Sequence, residues 1–526
     1  MRSAFAGTGL LARIALRTGW RAAAAWVVGL AVLYLVTGTS IASLYDTPEK
    51  LATYGASLGD AMVMLTGRIA GLDTLGGVLM NEFAFLVSFG VPIMAIALTA
   101  RATRKEEETG RLELLRSARV GRLAPITAAL AFSAGTFLVL GLAVWATTLA
   151  FDIDRGGAVL YVASITATGW VYAAATAVIA QIVGHNRTVW ALSMALLGLT
   201  LVTRGIGDTN ENWISWLSPL GWLGLVRPFG DSSLLPLVVA VAVAAVLAAL
   251  AAWLVGRRDV GAGMLPSRAG AARASAWRAS ALGVAVHQHL GAFLGWAIGV
   301  TALMGLYGGL MNVVVDTIMA NPDLAVFLAN ADSLVDAIVQ MLVSFVGFLG
   351  AGYALQSLGG LRGEETSARL ELALSARRSR WSWLALHAVI VAVAAAIVVA
   401  AGSAAFAVSS AAALVDSSVA GRIFAAGLWQ IPAVLAFVGL STALFGAFPR
   451  LQVAAWAPFA VGVVVTFMGP TLQLTDAQMR FSPFGAVGDA PIGPVDVGGV
   501  VALLVTAAVL VAVGLVAFRR RDVPRS

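Results

Sequence analysis

Residues 364–380 read EETSARLELALSARRSR, and residues 106–122 read EEETGRLELLRSARVGR. An ungapped offset of 258 makes ten of the 17 positions identical. Glu106, Glu107, Arg111, Leu112, Glu113, Leu114, Ser117, Ala118, Arg119 and Arg122 match Glu364, Glu365, Arg369, Leu370, Glu371, Leu372, Ser375, Ala376, Arg377 and Arg380. Each block lies between long apolar runs. Two shorter echoes follow in the same order. Ser218-Pro219-Leu220-Gly221 recurs as Ser482-Pro483-Phe484-Gly485, and Arg257-Arg258-Asp259-Val260 recurs as Arg520-Arg521-Asp522-Val523. The chain therefore reads as two halves of one design, residues 1–258 and 281–526. A Gly-, Ala- and Arg-rich linker over 259–280 joins them.

The surrounding composition names the solvent. The 526 residues are 60% hydrophobic and 12% charged, with mean hydropathy +0.89. Soluble domains are about 45–50% apolar and about 25% charged, so the composition is that of an integral membrane protein. Apolar windows of about 20 residues mark spanning helices. Twelve occur: 22–42, 79–100, 124–150, 158–184, 188–206, 233–256, 290–313, 336–357, 383–414, 423–447, 452–469 and 498–518. They lack the alternation of barrel strands. The expected fold is all-α, twelve transmembrane helices in two parallel six-helix repeats, since an even number of spans separates the copies.

Charge sets the direction. Of 34 Lys and Arg, all but Lys50, Arg68, Arg155, Arg204, Arg227, Arg422 and Arg480 fall on the face that carries the termini and the blocks. The positive-inside rule makes that face cytoplasmic, in a bacterial cytoplasmic membrane. Arginine greatly outnumbers lysine, present only as Lys50 and Lys105, in an Ala-, Val- and Gly-rich chain. This suggests a high-GC genome, as in actinobacteria. No cysteine is present, so disulfides and thiolate metal sites are excluded. Arg13, Arg17 and Arg21 at i, i+4, i+8 predict an amphipathic surface helix over 9–21. A second surface helix is expected from Trp277.

Each block predicts a short cytoplasmic helix with i, i+4 pairs Glu107–Arg111 and Glu365–Arg369. A topology signal needs only arginines. A duplicated Glu-Glu and Arg-Leu-Glu-Leu pattern points to a docking surface used twice. The block after the second helix of a six-helix unit resembles the coupling helix of permeases of the type-two ABC exporter superfamily. Two such units fused in one chain are similar to the actinobacterial antibiotic and multidrug exporter permeases, the tetronasin-resistance-like group. The resemblance implies two copies of a separate ATPase that bind ATP and Mg. They would dock on Glu106, Glu107, Arg111, Glu113, Arg119 and Arg122, and on Glu364, Glu365, Arg369, Glu371, Arg377 and Arg380. His185, Arg187 and Arg450, in short inner turns, would make minor contacts.

The motor is absent from the residues in hand. A P-loop needs Gly-x4-Gly-Lys-Ser/Thr, and neither Lys50 nor Lys105 sits in one. No cofactor, metal site, catalytic residue or nucleic-acid partner is expected in this chain. In the resembled family the second and fifth helices of each half face the path. That implies an apolar cavity between the halves lined by Phe85, Phe89, Trp190, Met194, Phe345, Phe348, Trp456 and Phe459. Glu82 is a span-associated carboxylate and a candidate substrate or proton site. Gly295-x3-Gly299 and Gly305-x3-Gly309 read as close-packing motifs. The expected function is the permease of an ATP-driven exporter of amphipathic or hydrophobic compounds. An ion-coupled twelve-helix antiporter is the alternative, or a membrane scaffold or sensor without transport.

Overall fold

The computed structural model describes residues 3–57, 63, 66–110, 120–258, 263–264, 273, 275–312, 315, 334–366, 369–375, 379–468, 474–490 and 493–522. Among them twelve helices are long and apolar enough to cross a membrane. The chain divides into two compact units, Met1–Gly270 and Ala271–Ser526, a boundary that falls inside the 259–280 linker.

The first unit contains α1 (Thr8–Leu44), α2 (Leu75–Ala100), α3 (Ala124–Thr148), α4 (Arg155–Ile182), α5 (Asn186–Thr209) and α6 (Leu235–Val255). The second contains α7 (Ala281–Gly309), α8 (Leu334–Gly359) and α9 (Arg380–Ala413). It continues with α10 (Ser418–Leu428 and Ile431–Ala447), α11 (Trp456–Met468) and α12 (Val497–Arg520). In the first unit α1 packs on α3, α2 on α4, and α4 on α6; in the second α7 packs on α9, α8 on α10, and α10 on α12. The sixth helix of each unit keeps rows of exposed valine, such as Val238 and Val246 or Val509 and Val516. These are faces suited to lipid, because the backbone is satisfied within the helix.

Local chemistry explains the ends. Thr74 caps α2, Asp154 caps α4 and Asp496 caps α12, each side chain accepting an N–H at the third helical position. Pro432 sits in the first turn of the longer α10 segment, where its missing N–H costs nothing. The break it marks has no counterpart in α4, which runs unbroken for 28 residues.

Three expectations need correction. The surface helix over 9–21 is not separate: α1 is one 37-residue helix, about 55 Å long. No proline interrupts it, so nothing turns the amphipathic segment away from the span. The second surface helix is a single turn, Ala276–Ala279, closed by Ser280, which caps α7. Arg204, counted with the charges of the opposite face, is not free at that surface. It lies inside α5, 2% exposed, and its Nη1 donates to Ser88 Oγ in α2 at 2.6 Å.

Candidate functional site

The face that carries the charged blocks holds the most organised polar chemistry in each unit. After α2 the backbone loosens into a π-helical turn, Arg101–Lys105, and then one α-turn, Glu106–Glu108. Such turns re-aim side chains. Arg104 points inward and is fully buried. Its Nε donates to the Val183 carbonyl at 2.9 Å, at the end of α4, and its Nη1 pairs with Glu107. Glu107 is 8% exposed and is gripped from the other side by Arg258, just past α6. Arg258 Nη1 donates to Glu107 Oε2 at 2.9 Å, and its Nη2 pairs with Oε1. Arg258 Nε donates to Gln181 Oε1 at 2.8 Å. At the far end of the block, Arg122 Nη2 donates to the Gly256 carbonyl.

The second unit repeats these contacts with the matching residues. Arg521, past α12, donates through Nη2 to Glu365 Oε2 at 3.0 Å, and the carboxylate is 9% exposed. Arg380 Nη1 donates to the Arg521 carbonyl at 2.6 Å. Arg362, the counterpart of Arg104, donates to the Arg450 carbonyl in the α10–α11 turn at 3.4 Å. Each block therefore closes two contacts on the end of its unit's sixth helix, and the arginine just ahead of it, Arg104 or Arg362, closes one on the turn between the fourth and fifth. We call the Glu107–Arg258 and Glu365–Arg521 pairs clasps. Charged hydrogen bonds removed from water are strong when fully paired, and breaking one leaves an uncompensated charge. The first clasp holds two arginines on one glutamate. Among the described residues the second holds one, with its guanidinium also over the rings of Phe445 and Phe518 at 5.6 and 5.4 Å.

The residues expected to dock divide accordingly. Glu107 and Glu365 are drawn inward, and Glu365 meets Arg521 rather than standing open beside Arg369. Arg369 is largely exposed and lies 3.6 Å from Glu364. Glu371 is exposed and Glu106 half-buried. Arg111, Glu113, Arg119 and Arg377 lie outside the described residues. His185, Arg187 and Arg450 are exposed in the inner turns. Glu108 Oε1 accepts the Asn186 N–H at 2.7 Å, a carboxylate at the start of α5, where the helix dipole favours it. The clasp arginines were visible as an echo at 257–260 and 520–523, but nothing in the local pattern joined them to the blocks.

The candidate path residues separate by unit. In the second, Phe345, Phe348, Phe459 and Trp456 fall into one continuous aromatic stack. Phe345 meets Phe348 at 5.8 Å, Phe459 meets Trp456 at 5.5 Å, and Phe484 contacts both groups, 4.7 Å from Phe348 and 6.3 Å from Phe459. Phe437 lies 5.5 Å from Phe484. Phe484 belongs to the Ser-Pro-Phe-Gly echo, whose role as hub of the stack was not read from the sequence. In the first, the side chain of Phe85 is not described. Phe89 and Trp190 are half-buried, and Met194 is exposed. The buried aromatics there are Tyr34, Phe83 and Tyr161, with Tyr34 edge-on to Phe83 at 4.8 Å. Glu82 is exposed and accepts a hydrogen bond from the Tyr54 hydroxyl at 2.6 Å. Burial, reinforced by the Glu82 charge, holds that hydroxyl well above its ordinary pKa, so it remains the donor. His289 and His387 are not headgroup-level polar residues: they are buried, with ring nitrogens 2.9 Å apart. Gln452 Nε2 donates to the Leu358 carbonyl at 2.7 Å. Among the described residues no group of three metal-ligating side chains occurs.

Among the described residues, twelve helices long and apolar enough to cross a membrane point to a multi-pass membrane protein. Its kind follows from comparison. The family described as "Multidrug efflux system permease Rv1217c, C-terminal domain" matches residues 11–255 and 279–519, and the chain belongs to that family. The chain is similar to the multidrug efflux system permease protein Rv1217c of Mycobacterium tuberculosis. The two are 30% identical over 534 residues, covering 99% of this chain and 96% of the relative. A role as a transport permease is thereby supported.

Proposed function

We propose that this chain is the membrane subunit of a type-two ABC exporter of the tetronasin-resistance-like kind. In this reading it is two parallel copies of a six-helix unit in a bacterial cytoplasmic membrane, with both termini inside. It is not itself an enzyme. Two copies of a separate ATPase bind ATP and Mg and dock on the two blocks. The observation that carries the reading is the division within the second block. In the second block Glu365 is buried and fastens the block to its own unit, while Glu371 is exposed and Arg369, beside Glu364, is largely exposed. A short helix held between two such fastenings can pass on a push from a partner. The relative is described as one component of an efflux system, which supports the existence of partners. The cargo is an amphipathic or hydrophobic compound, and the aromatic stack of the second unit offers apolar faces to it.

The test is co-purification. Expressed with each ABC ATPase that its host encodes, the full chain should retain one of them. The double reversal Arg369→Glu/Glu371→Arg should lose it while the permease unfolds at its usual temperature. Retention by the reversed protein would remove the docking assignment.

One observation favours the ion-coupled antiporter. Arg204 and Asp208 form a buried polar site within α5, with Asp208 accepting from Ser215 Oγ at 2.5 Å and from the Arg68 N–H at 3.2 Å. Intramembrane charge of this kind marks ion pathways in some transporters. Efflux abolished by a protonophore at constant ATP would favour that reading.

A further inference from the structure

We infer that the cytoplasmic end of the sixth helix in each unit moves with the charged block, so that Arg258 and Arg521 are positioning residues that carry coupling to α6 and α12. The inference rests on the exporter reading and deepens it. Its basis is the clasp geometry, found twice. Glu107 lies at the start of its block and Arg122 at the end, and both hold the end of α6. Glu365 and Arg380 hold the end of α12 in the same way. A single ion pair acts as a hinge, because the partners can swing about it. Two separate contacts on the end of one helix restrain direction as well as distance. The two fastenings also differ in kind, one a carboxylate–guanidinium pair and one a guanidinium on a main-chain carbonyl. The backbone contact resists side-chain substitution on α6 and α12, whereas the pair does not.

The clasps differ in redundancy. Glu107 keeps Arg104 when Arg258 is removed. Arg521 is the basic residue the structure places on Glu365. The second clasp is thus the more sensitive to loss of its arginine.

Absence of native cysteine makes the decisive experiment direct. Glu365→Cys/Arg521→Cys is made in the full chain, expressed with its partner, and ethidium efflux is measured in cells before and after treatment with a short bis-maleimide. The broken clasp should lower the efflux rate roughly tenfold, within the range by which coupled sites act on one another. The covalent bridge should restore most of it, while single-cysteine controls do not respond. Arg521→Met should lose more efflux than Arg258→Met, and the swap Glu365→Arg/Arg521→Glu should recover a large part of the loss. Full efflux by the unbridged pair, or a bridge that leaves efflux low in protein that elutes and unfolds normally, overturns the inference. Transport is the readout, so recovery by the bridge tests the clasp whichever energy source drives efflux. The ATPase reading stands or falls separately on co-purification.

Discussion

Gly446 marks the tightest backbone approach between α10 and α12. A Cβ built there would lie 2.1 Å from the carbonyl oxygen of Gly514 and 2.7 Å from its carbonyl carbon. The partner helix is equally bare: a Cβ at Gly514 would meet the Thr442 oxygen at 2.5 Å. Seven residues along, a Cβ at Gly439 would meet the Ala507 oxygen at 2.7 Å. Real Cβ contacts below 3.0 Å essentially never occur, so Gly446→Ala must open this crossing from 2.1 to 3.0 Å, about 0.9 Å. A gap of about 0.5–1 Å forfeits a quarter to a half of the dispersion attraction across it. Overpacking costs about 1–3 kcal/mol. Because the obstructing atoms are backbone and cannot rotate away, the upper end, ~3 kcal/mol, applies here. The strain would reach the second clasp, since Phe445 and Phe518, 5.5 Å apart, support the Arg521 guanidinium one turn further on. The control is Gly299→Ala, where a Cβ meets nothing within 4 Å. There the substitution should be neutral or stabilise by about 0.5–1 kcal/mol. Thermal unfolding of both purified variants in one detergent decides. Gly446→Ala should unfold several degrees below Gly299→Ala, and equal midpoints would show that the helices are not this close.

Arg204→Met should destabilise the first unit by about 3–5 kcal/mol, because it strands Asp208 as a buried charge. Arg204→Met/Asp208→Asn should recover part of that loss in the same thermal assay. Ser88→Ala should cost about 1–3 kcal/mol, the penalty of leaving a buried donor unpaired. Phe484→Ala should destabilise the second unit by about 3–5 kcal/mol by emptying the hub of the aromatic stack. Phe484→Leu should largely restore stability, and a changed efflux profile at restored stability would assign the stack to substrate. Tyr54→Phe removes the hydroxyl that holds Glu82, and limited proteolysis should then cleave faster within Pro48–Ser57, the short helix that carries it.

The sequence makes the twelve helices legible because a spanning helix must satisfy its own backbone and fill about 20 residues with apolar side chains. Those constraints are local, and a window sees them. Partnership is not local. The clasps join residues 151 and 156 positions apart, and an i, i+4 pattern offers a nearer partner for the same glutamates. Gly295-x3-Gly299 failed as a packing motif for the same reason: both positions face open space, while Gly439, Gly446 and Gly514 supply a close crossing from a spacing of seven. Gly308 packs against α9, where Ser409 Oγ and the Phe406 oxygen would block a Cβ, so the α7 seam exists one residue away from the expected register. Arg204 was counted with the charges of the opposite face although it lies within the span 188–206, because a count by sequence does not see that its guanidinium reaches Ser88 in α2.

The duplication now carries a narrower argument than the repeated letters promise. Glu107 and Glu365 recur for a reason internal to each unit: Arg258 and Arg521 require them. Arg122 and Arg380 recur because each closes on the end of a sixth helix. A scaffold with no partner would preserve these four residues equally well, so their identity says nothing about docking. What the clasp leaves unexplained is the middle of the block, Arg-Leu-Glu-Leu followed by Ser-Ala-Arg. There Leu370 is buried against the second unit's core while Glu371 faces out. The short helix Arg369–Ser375, seated by its leucine between the Glu365 and Arg380 fastenings, turns Glu371 outward where a partner can meet it. The case for a motor therefore rests on Arg369 and Glu371, and a substitution confined to them tests it without disturbing the fastening beneath.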